Sequence, residues 1–396
     1  MIKKFLPLLA LLPLTLVAEE DKNFYQSIVG SGENLSGTED LSFSSFPQLT
    51  ITSGAETIND VSASVPEEAA KKVYPEPHRA FIFESDLADF SQNAYAEEVE
   101  RLLAAYERTT GRKLVPGKAK KCALKIYAES GRGLETPKNL TLATRDALVR
   151  RGFAKEDIYI VGLQEKTMRQ TGYLPPFRRK SGDFVWQGSP VIALDTGKFY
   201  DARWFFECAL PSKDADAYYR ADEESIENER KSFYPIPLMF GVDFWISLPV
   251  VCDSRSLGIS GALANATLWS VSNQRRFLDN PANAVNMVYT VATTPELRDK
   301  CELSILSLEK YQFIGGPAFN ANYAVSEKSL WLSANPVVLD FIMWQRVNAA
   351  RQKRGFELIL PEPPVFALAS KGEKSLGSCV PEEINLVRPK DEASGK

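Results

Sequence analysis

Apolar positions along the chain follow two alternating periods. Short runs of β-branched and aromatic residues at 80–83, 122–127, 158–161, 190–194 and 244–251 read as strands, with a further apolar segment at 203–210. The run at 244–251 is nearly continuous, as expected of a strand covered on both faces. Residues 86–109 instead carry Leu87, Phe90, Tyr95, Val99, Leu102, Leu103 and Tyr106 at helical spacing, and Gly111 supplies a stop. A second helix spans 140–151, with Leu140, Ala143, Ala147 and Leu148 on its inner face, and 337–347 reads as a mostly apolar helix. The strand, helix and strand of 122–161 form a β-α-β unit, whose parallel pair crosses over right-handed. The predicted fold class is therefore α/β, a mostly parallel sheet flanked by helices, with a flexible amino-terminal arm.

The chain ends look different. Lys3 and Lys4 precede an apolar run over 5–17, and Ala18 supplies a small residue before a cleavage point. Residues 1–18 read as a signal peptide, which places the mature protein in the periplasm or outside the cell. Pro13 and Leu16 fit the signal pattern less well, and left uncleaved the same run would be an anchor, although it is shorter than the ~20 residues of a membrane span. No later stretch qualifies as a span. Residues 19–70, rich in Ser, Thr, Gly, Asp and Glu, read as a flexible polar arm. Residues 71–370 hold the α/β pattern, and 371–396 form a polar, mixed-charge tail, read as poorly ordered. Across 396 residues, of which 44% are hydrophobic and 25% charged, the formal net charge is -4. Lys and Arg are scattered among acids, so no basic field points to nucleic acid. The sequence leaves oligomeric state open.

Candidate chemistry is constrained by scarcity. The five cysteines are odd in number and contain no C-x-x-C pair, which fits neither a disulfide framework nor an iron–sulfur or zinc site. With His78 as the single histidine, His-rich zinc sites are excluded and a Ser-His-Asp triad has one possible base. Chemistry here would rest on carboxylates, Lys, Arg and backbone amides. Cys252, Asp253, Ser254 and Arg255 crowd the carboxyl end of the 244–251 strand, where open parallel sheets bind ligands. In the loop ESGRGLETPKN, Arg132 and Gly133 precede Thr136 and Pro137, read as the cap and first turn of a helix whose free amides suit an anion. Arg275 and Arg276 offer guanidinium forks to a carboxylate or phosphate, or else are surface charge. Gly315 and Gly316, with Pro317, form a turn that lines the same cleft or is only a tight turn. The basic cluster at 178–180 could flank a negative ligand, and the charged stretch 214–231 reads as an exposed helix or loop. Asp195, Asp253 and Asp340, with Asn265, are oxygen donors that would suit Mg²⁺ or Ca²⁺. Alternatively, Asp253 caps the segment after the strand and Asp340 is a buried hydrogen-bonding residue.

The order LPVVCDSRSLGISGALANATLW, NQRRF, IGGPAF and LSANPVVLDFIMWQRVNAARQKRGF resembles the family catalogued as domain of unknown function 362. ALKIYAE, IYIVG and RQTGYL are similar to that family's amino-terminal β-α-β portion, and the likeness covers residues 120–356. The resemblance implies an α/β domain of unsettled activity, and some members carry iron–sulfur cysteines that this chain lacks. Of the polar positions it implies, Lys125 is present, but Tyr127 stands in place of an asparagine and Ser254 in place of a histidine after Asp253. Gly258, Gly261 and Asn265 are kept, with Ala264 at a lysine position, and Asn335 and Pro336 precede a retained Asp340. Glycines survive where charged and polar groups have been softened, which suits a retained scaffold with altered or lost chemistry. Two readings follow. One is an exported small-molecule or anion-binding or scaffold protein that keeps the family cleft without its catalytic groups; the other is a carboxylate-based enzyme, with or without a divalent metal, acting on an anionic small molecule, with Asp253 as general base and Lys125 or Arg275 holding the substrate.

Overall fold

The structure, a computed structural model, describes residues 77–176, 184–196, 199–210, 229–371 and 374–389. The signal segment, the polar arm, the 178–180 cluster and nearly all of the 214–231 stretch lie outside the described residues. In chain order the strands are β1 (Phe81–Asp86), β2 (Cys122–Ile126), β3 (Ile158–Gly162), β4 (Phe184–Trp186), β5 (Ser189–Ala193), β6 (Tyr200–Glu207), β7 (Lys231–Pro235) and β8 (Phe244–Leu248). They continue as β9 (Cys252–Ser254), β10 (Gly258–Ser260), β11 (Cys301–Ser307), β12 (Tyr311–Gln312), β13 (Ala324–Val325), β14 (Ser329–Ser333) and β15 (Asn385–Val387). A nine-stranded sheet runs β15-β1-β14-β11-β8-β2-β3-β5-β4, beside a four-stranded sheet β10-β9-β12-β13 and the two-stranded β6-β7. The central β11, β8, β2, β3 and β5 are all parallel. The α/β expectation therefore holds.

Chain order explains where a crevice should open. From β2 the sheet grows through β3 to β5 on one side, then the chain returns to lay β8 against the other side of β2 and β11 beyond it. The growth direction reverses between β2 and β8, and such switch points are where open α/β sheets bind ligands, outside the strands' carboxyl ends.

Strand alternation assigns the two faces. Leu124, Ile126, Ile246 and Leu248 pack with α1 (Gln92–Thr110) and α2 (Lys138–Arg150) in one apolar core, through Val99, Leu102 and Leu103 of α1 and Ala143 and Ala147 of α2. The opposite face meets α4 (Ala262–Ala266) and α6 (Pro336–Lys353), which follow α3 (Glu165–Thr171) and flank α5 (Pro281–Ala292) in sequence. There Lys125 and Ser247 sit opposite each other in register, a polar pair inside an otherwise apolar layer.

Several boundaries differ from expectation. The first helix begins at Gln92 rather than 86, because residues up to Asp86 belong to β1 and Ser91 caps the helix, its side chain accepting from the Ala94 N–H at 3.3 Å. Gly111 closes that helix in the left-handed region, at φ 73, donating to the Glu107 carbonyl. β8 stops at Leu248, since Pro249 lacks the N–H that would continue the ladder. The chain beyond enters β9, in the smaller sheet. The tail expectation fails for residues 374–389. β15 extends the main sheet parallel to β1, Asn335 Nδ2 donates to the Ser378 carbonyl at 2.6 Å, and Arg388 pairs with Glu84 at 2.8 Å.

Candidate functional site

The switch-point crevice is closed by the chain itself. Thr136 Oγ accepts from the Tyr127 N–H at 2.8 Å and donates to the Leu248 carbonyl at 2.6 Å, so one hydroxyl stitches the ends of β2 and β8 together. Its expected capping role is thereby corrected: the residue before α2 is Pro137, with no side-chain cap bond. The rest of the expected anion loop is also engaged. The Gly133 N–H donates to the Glu135 carboxylate at 2.5 Å, and a Cβ on Gly133 would lie 2.3 Å from the Phe319 ring. Arg132 is exposed on this loop.

Below the crevice lies a buried polar cluster. Lys125 is 0% exposed, and its ammonium donates to the Ile126 carbonyl at 2.8 Å and to Asn265 Oδ1 at 3.2 Å. Asn265 in turn donates to the Lys125 carbonyl and to Ser247 Oγ, locking α4 onto the sheet. Burial pushes the Lys125 ammonium well below the ordinary lysine range, against the attraction of Glu129. Burial likewise pushes the Glu129 carboxyl above the usual carboxylate range, opposed by Lys125 and by hydrogen bonds from Gln164 N–H and Thr167 Oγ. Lys125 is thus engaged within the interior, between a strand carbonyl and Asn265.

The open site lies further along. Past Pro249 the chain forms the β9–β10 hairpin, and the Gly315–Gly316 turn packs against it. Asp253 Oδ1 accepts from the Gly316 N–H at 2.7 Å, while Oδ2 accepts from the Gly315 N–H at 3.1 Å and from Arg351 Nη2 at 3.3 Å. Arg351 also donates to the Phe313 carbonyl at 2.8 Å, tying the end of α6 to the same turn. Only glycine fits at 316, where a Cβ would fall 2.3 Å from the Asp253 carbonyl oxygen. Asp253 therefore caps no helix; it organises the turn opposite its own strand.

Between hairpin and turn is a cavity of about 180 Å³, lined by residues 252–255 together with Ser260, Trp269, Leu278, Asp279, Gly316 and Pro317. Trp269 donates its indole N–H to Ser260 Oγ at 2.7 Å and meets the Tyr127 ring edge to face at 5.8 Å, so its orientation is fixed from two sides. At the mouth Arg255 faces Asp279 at 3.9 Å, with side chains 86% and 56% exposed. Burial, with the Asp253 charge beside it, pushes the Cys252 thiol up to about 12, so it stays protonated and is no nucleophile at neutral pH.

The three aspartates named for a metal do separate jobs. Asp195 accepts from the Glu165 N–H at 2.9 Å at the start of α3. Asp340 accepts from the Ala262 and Leu263 N–H groups at the start of α4, at 2.5 and 3.0 Å, and Gly261 is needed because a Cβ would sit 2.2 Å from Asp340 Oδ1. Among the described residues no three His, Cys, Asp or Glu side chains gather as a metal-holding group, so the Asp195–Asp253–Asp340 set does not form. Arg276 also turns inward. Its terminal nitrogens donate to the carbonyls of Cys208, Leu210 and Glu229 and to Ser232 Oγ, pinning the β6–β7 hairpin, which removes it as an anion fork. Arg275, its neighbour, is exposed.

No family model matches the chain, and no curated protein matches it. Among solved structures the chain is similar to a Thermotoga maritima protein in a crystal structure from the Northeast Structural Genomics Consortium, with 11% identity and a TM-score of 0.35. The match covers 67% of this chain and 59% of that one, so the chain spans less than two thirds of that neighbour's length.

Of the site residues expected from the sequence, the structure brings Asp253, Gly315 and Gly316 together, and Lys125 with Asn265. Trp269, Ser260, Leu278, Asp279 and Arg351 were missed. Trp269 carried a usable signal, a large aromatic following the Gly-rich 258–261 segment. Arg351 carried none, being one of several cations near the end of a long helix.

Proposed function

We propose that this is an exported small-molecule-binding protein, of the type resembling domain of unknown function 362, whose ligand occupies the cavity between the β9–β10 hairpin and the Gly315–Gly316 turn. One observation carries the preference for binding over catalysis: the carboxylate best placed to act as a base, Asp253, already accepts from two glycine amides and Arg351. A general base must reach a substrate proton within hydrogen-bond distance, and here both oxygens hold the turn. The second group of the enzyme reading, Lys125, donates within the interior instead. The remaining lining combines an aromatic wall, two hydroxyls and a charged mouth, the mix of apolar surface and few polar groups common to small-ligand sites. Among the described residues no helix is long and apolar enough to cross a membrane. Export rests on the Lys3–Lys4 start, the apolar 5–17 run and Ala18.

Two measurements test this. Amino-terminal sequencing of the protein from a periplasmic or culture fraction should begin near Glu19; a chain starting at Met1 and retained in the cell contradicts export. Thermal-shift screening of single-ring compounds should stabilise the wild type and not Trp269→Ala. Equal shifts in both proteins would move the ligand elsewhere. A turnover that Asp253→Asn abolishes while unfolding stays unchanged would restore the enzyme reading.

A further inference from the structure

A second cavity lies at the opposite end of β8 from the one described above, and nothing about it depends on the binding reading. Its volume is about 30 Å³, room for about two water-sized bodies and too little for an organic ring. Trp245 of β8 and Cys301 of β11, paired in register at the amino ends of their strands, both line it. Leu263 and Ala266 of α4 add apolar surface.

The polar lining is one-sided. Trp245 is 0% exposed, and its indole N–H has no hydrogen-bond acceptor. Buried donors are nearly always paired in folded proteins, and leaving one alone is costly. Arg298 donates from Nε to Asp299 Oδ1 at 2.8 Å, while its two terminal nitrogens have no partner among the described residues. Arg79, the other cation in the lining, is committed to the carbonyls of Ala334 and Leu376, at 3.0 and 3.1 Å. Burial pushes the Cys301 thiol up to about 12, so it too stays protonated. The polar side chains of the lining are therefore an indole, two guanidiniums and a thiol, with no carboxylate, amide or hydroxyl among them. A buried water needs acceptors for its own protons as well as donors, whereas an anion needs donors alone.

We infer that this cavity binds a small monovalent anion, of chloride or formate size, held by the Trp245 indole N–H and the terminal nitrogens of Arg298. In so small a space one ion reaches both groups. It ties β8 to the segment that leads into β11, and it stabilises the folded chain as its site fills.

Nitrogen-edited NMR of the whole protein tests this, with the Trp245 indole signal assigned through Trp245→Phe. Sodium chloride and sodium formate should each move that signal saturably. Sodium sulfate at matched ionic strength, its anion too large for the cavity, should leave it in place. Arg298→Gln should weaken the anion about tenfold, the scale of one lost charge-assisted hydrogen bond. The Arg298 side chain is 26% exposed, so this change spares the core. A signal that answers all three salts alike, or that titrates identically in Arg298→Gln, overturns the site. No response to chloride or formate overturns the anion, and a cross-relaxation peak between the indole proton and a long-lived water would then give the donor to an internal water.

Discussion

Replacing Asp340 with asparagine isolates the energetics of the joint between α4 and α6. Asp340 is 2% exposed, and its two oxygens accept from the amides of Ala262 and Leu263. Burial pushes its carboxyl from an ordinary 3.8 to about 7, against the opposing pull of those two amides. The folded protein therefore holds this proton more tightly than the unfolded chain. The stability from that difference is fully present below 3.8 and is lost as pH rises through about 7. A displacement of this size amounts to roughly 4 kcal/mol across the window, or about 1.4 kcal/mol per pH unit within it. The side chain of the Asp340→Asn variant cannot titrate, and its amide group turns an N–H toward a backbone N–H, leaving a buried donor unpaired at a cost of about 1–3 kcal/mol. Urea unfolding of both proteins between about pH 4 and pH 8 reads the difference directly. Wild type should be the more stable at the acid end, with its advantage shrinking by several kcal/mol toward pH 8. An advantage that stays constant with pH would refute the argument that burial governs this carboxyl.

The crevice and the polar cluster make further demands. Thr136→Val keeps shape but removes the acceptor for the Tyr127 N–H and the donor to the Leu248 carbonyl, so thermal or urea unfolding should show a loss of about 1–3 kcal/mol for each stranded group. Thr136→Ser should restore most of it, and equal losses in both variants would mean that the stitch is not the hydroxyl. Lys125→Met removes the cation that draws the Glu129 carboxyl down, so the Glu129 midpoint followed by carbon NMR should lie higher than in wild type. The same variant should lack the gain in stability that wild type shows as pH climbs toward the ordinary lysine value of 10.5, where the unfolded chain still binds the Lys125 proton and the folded one has already released it.

The parts of the fold legible in sequence are those set by local periodicity. The runs that became β2 and β8 are apolar because both faces of the sheet are covered there, and the α1 pattern announced Tyr95, Val99, Leu102, Leu103 and Tyr106 of its buried stripe. β15 was hidden because NLV is a three-residue edge strand, too short to show a period, set in a polar stretch. The candidate site was legible only in fragments, for a related reason. Asp253 and the Gly315–Gly316 turn could each be picked out, but the bonds joining them span 62 and 63 residues, and Arg351 lies 98 residues away. Nothing local says that a carboxylate at the end of an apolar run will be consumed by a distant turn. Thr136 misled for a similar reason: a Thr-Pro pair at a helix start reads as a cap, while its hydroxyl answers to Leu248, 112 residues on.

The cavity beside Trp269 is the proposed binding site, and the Trp269 indole N–H, fixed on Ser260, is a reporter for it. Nitrogen-edited NMR of the labelled protein, with that resonance assigned through Trp269→Phe, should be followed against single-ring compounds bearing anionic, cationic, zwitterionic and neutral head groups. A saturable shift of the Trp269 indole signal is expected with at least one of them, while the indole of Trp331, buried on β14 under the Arg346 guanidinium, stays in place. A Trp269 signal unmoved by every compound, or one that moves only together with Trp331, would contradict it.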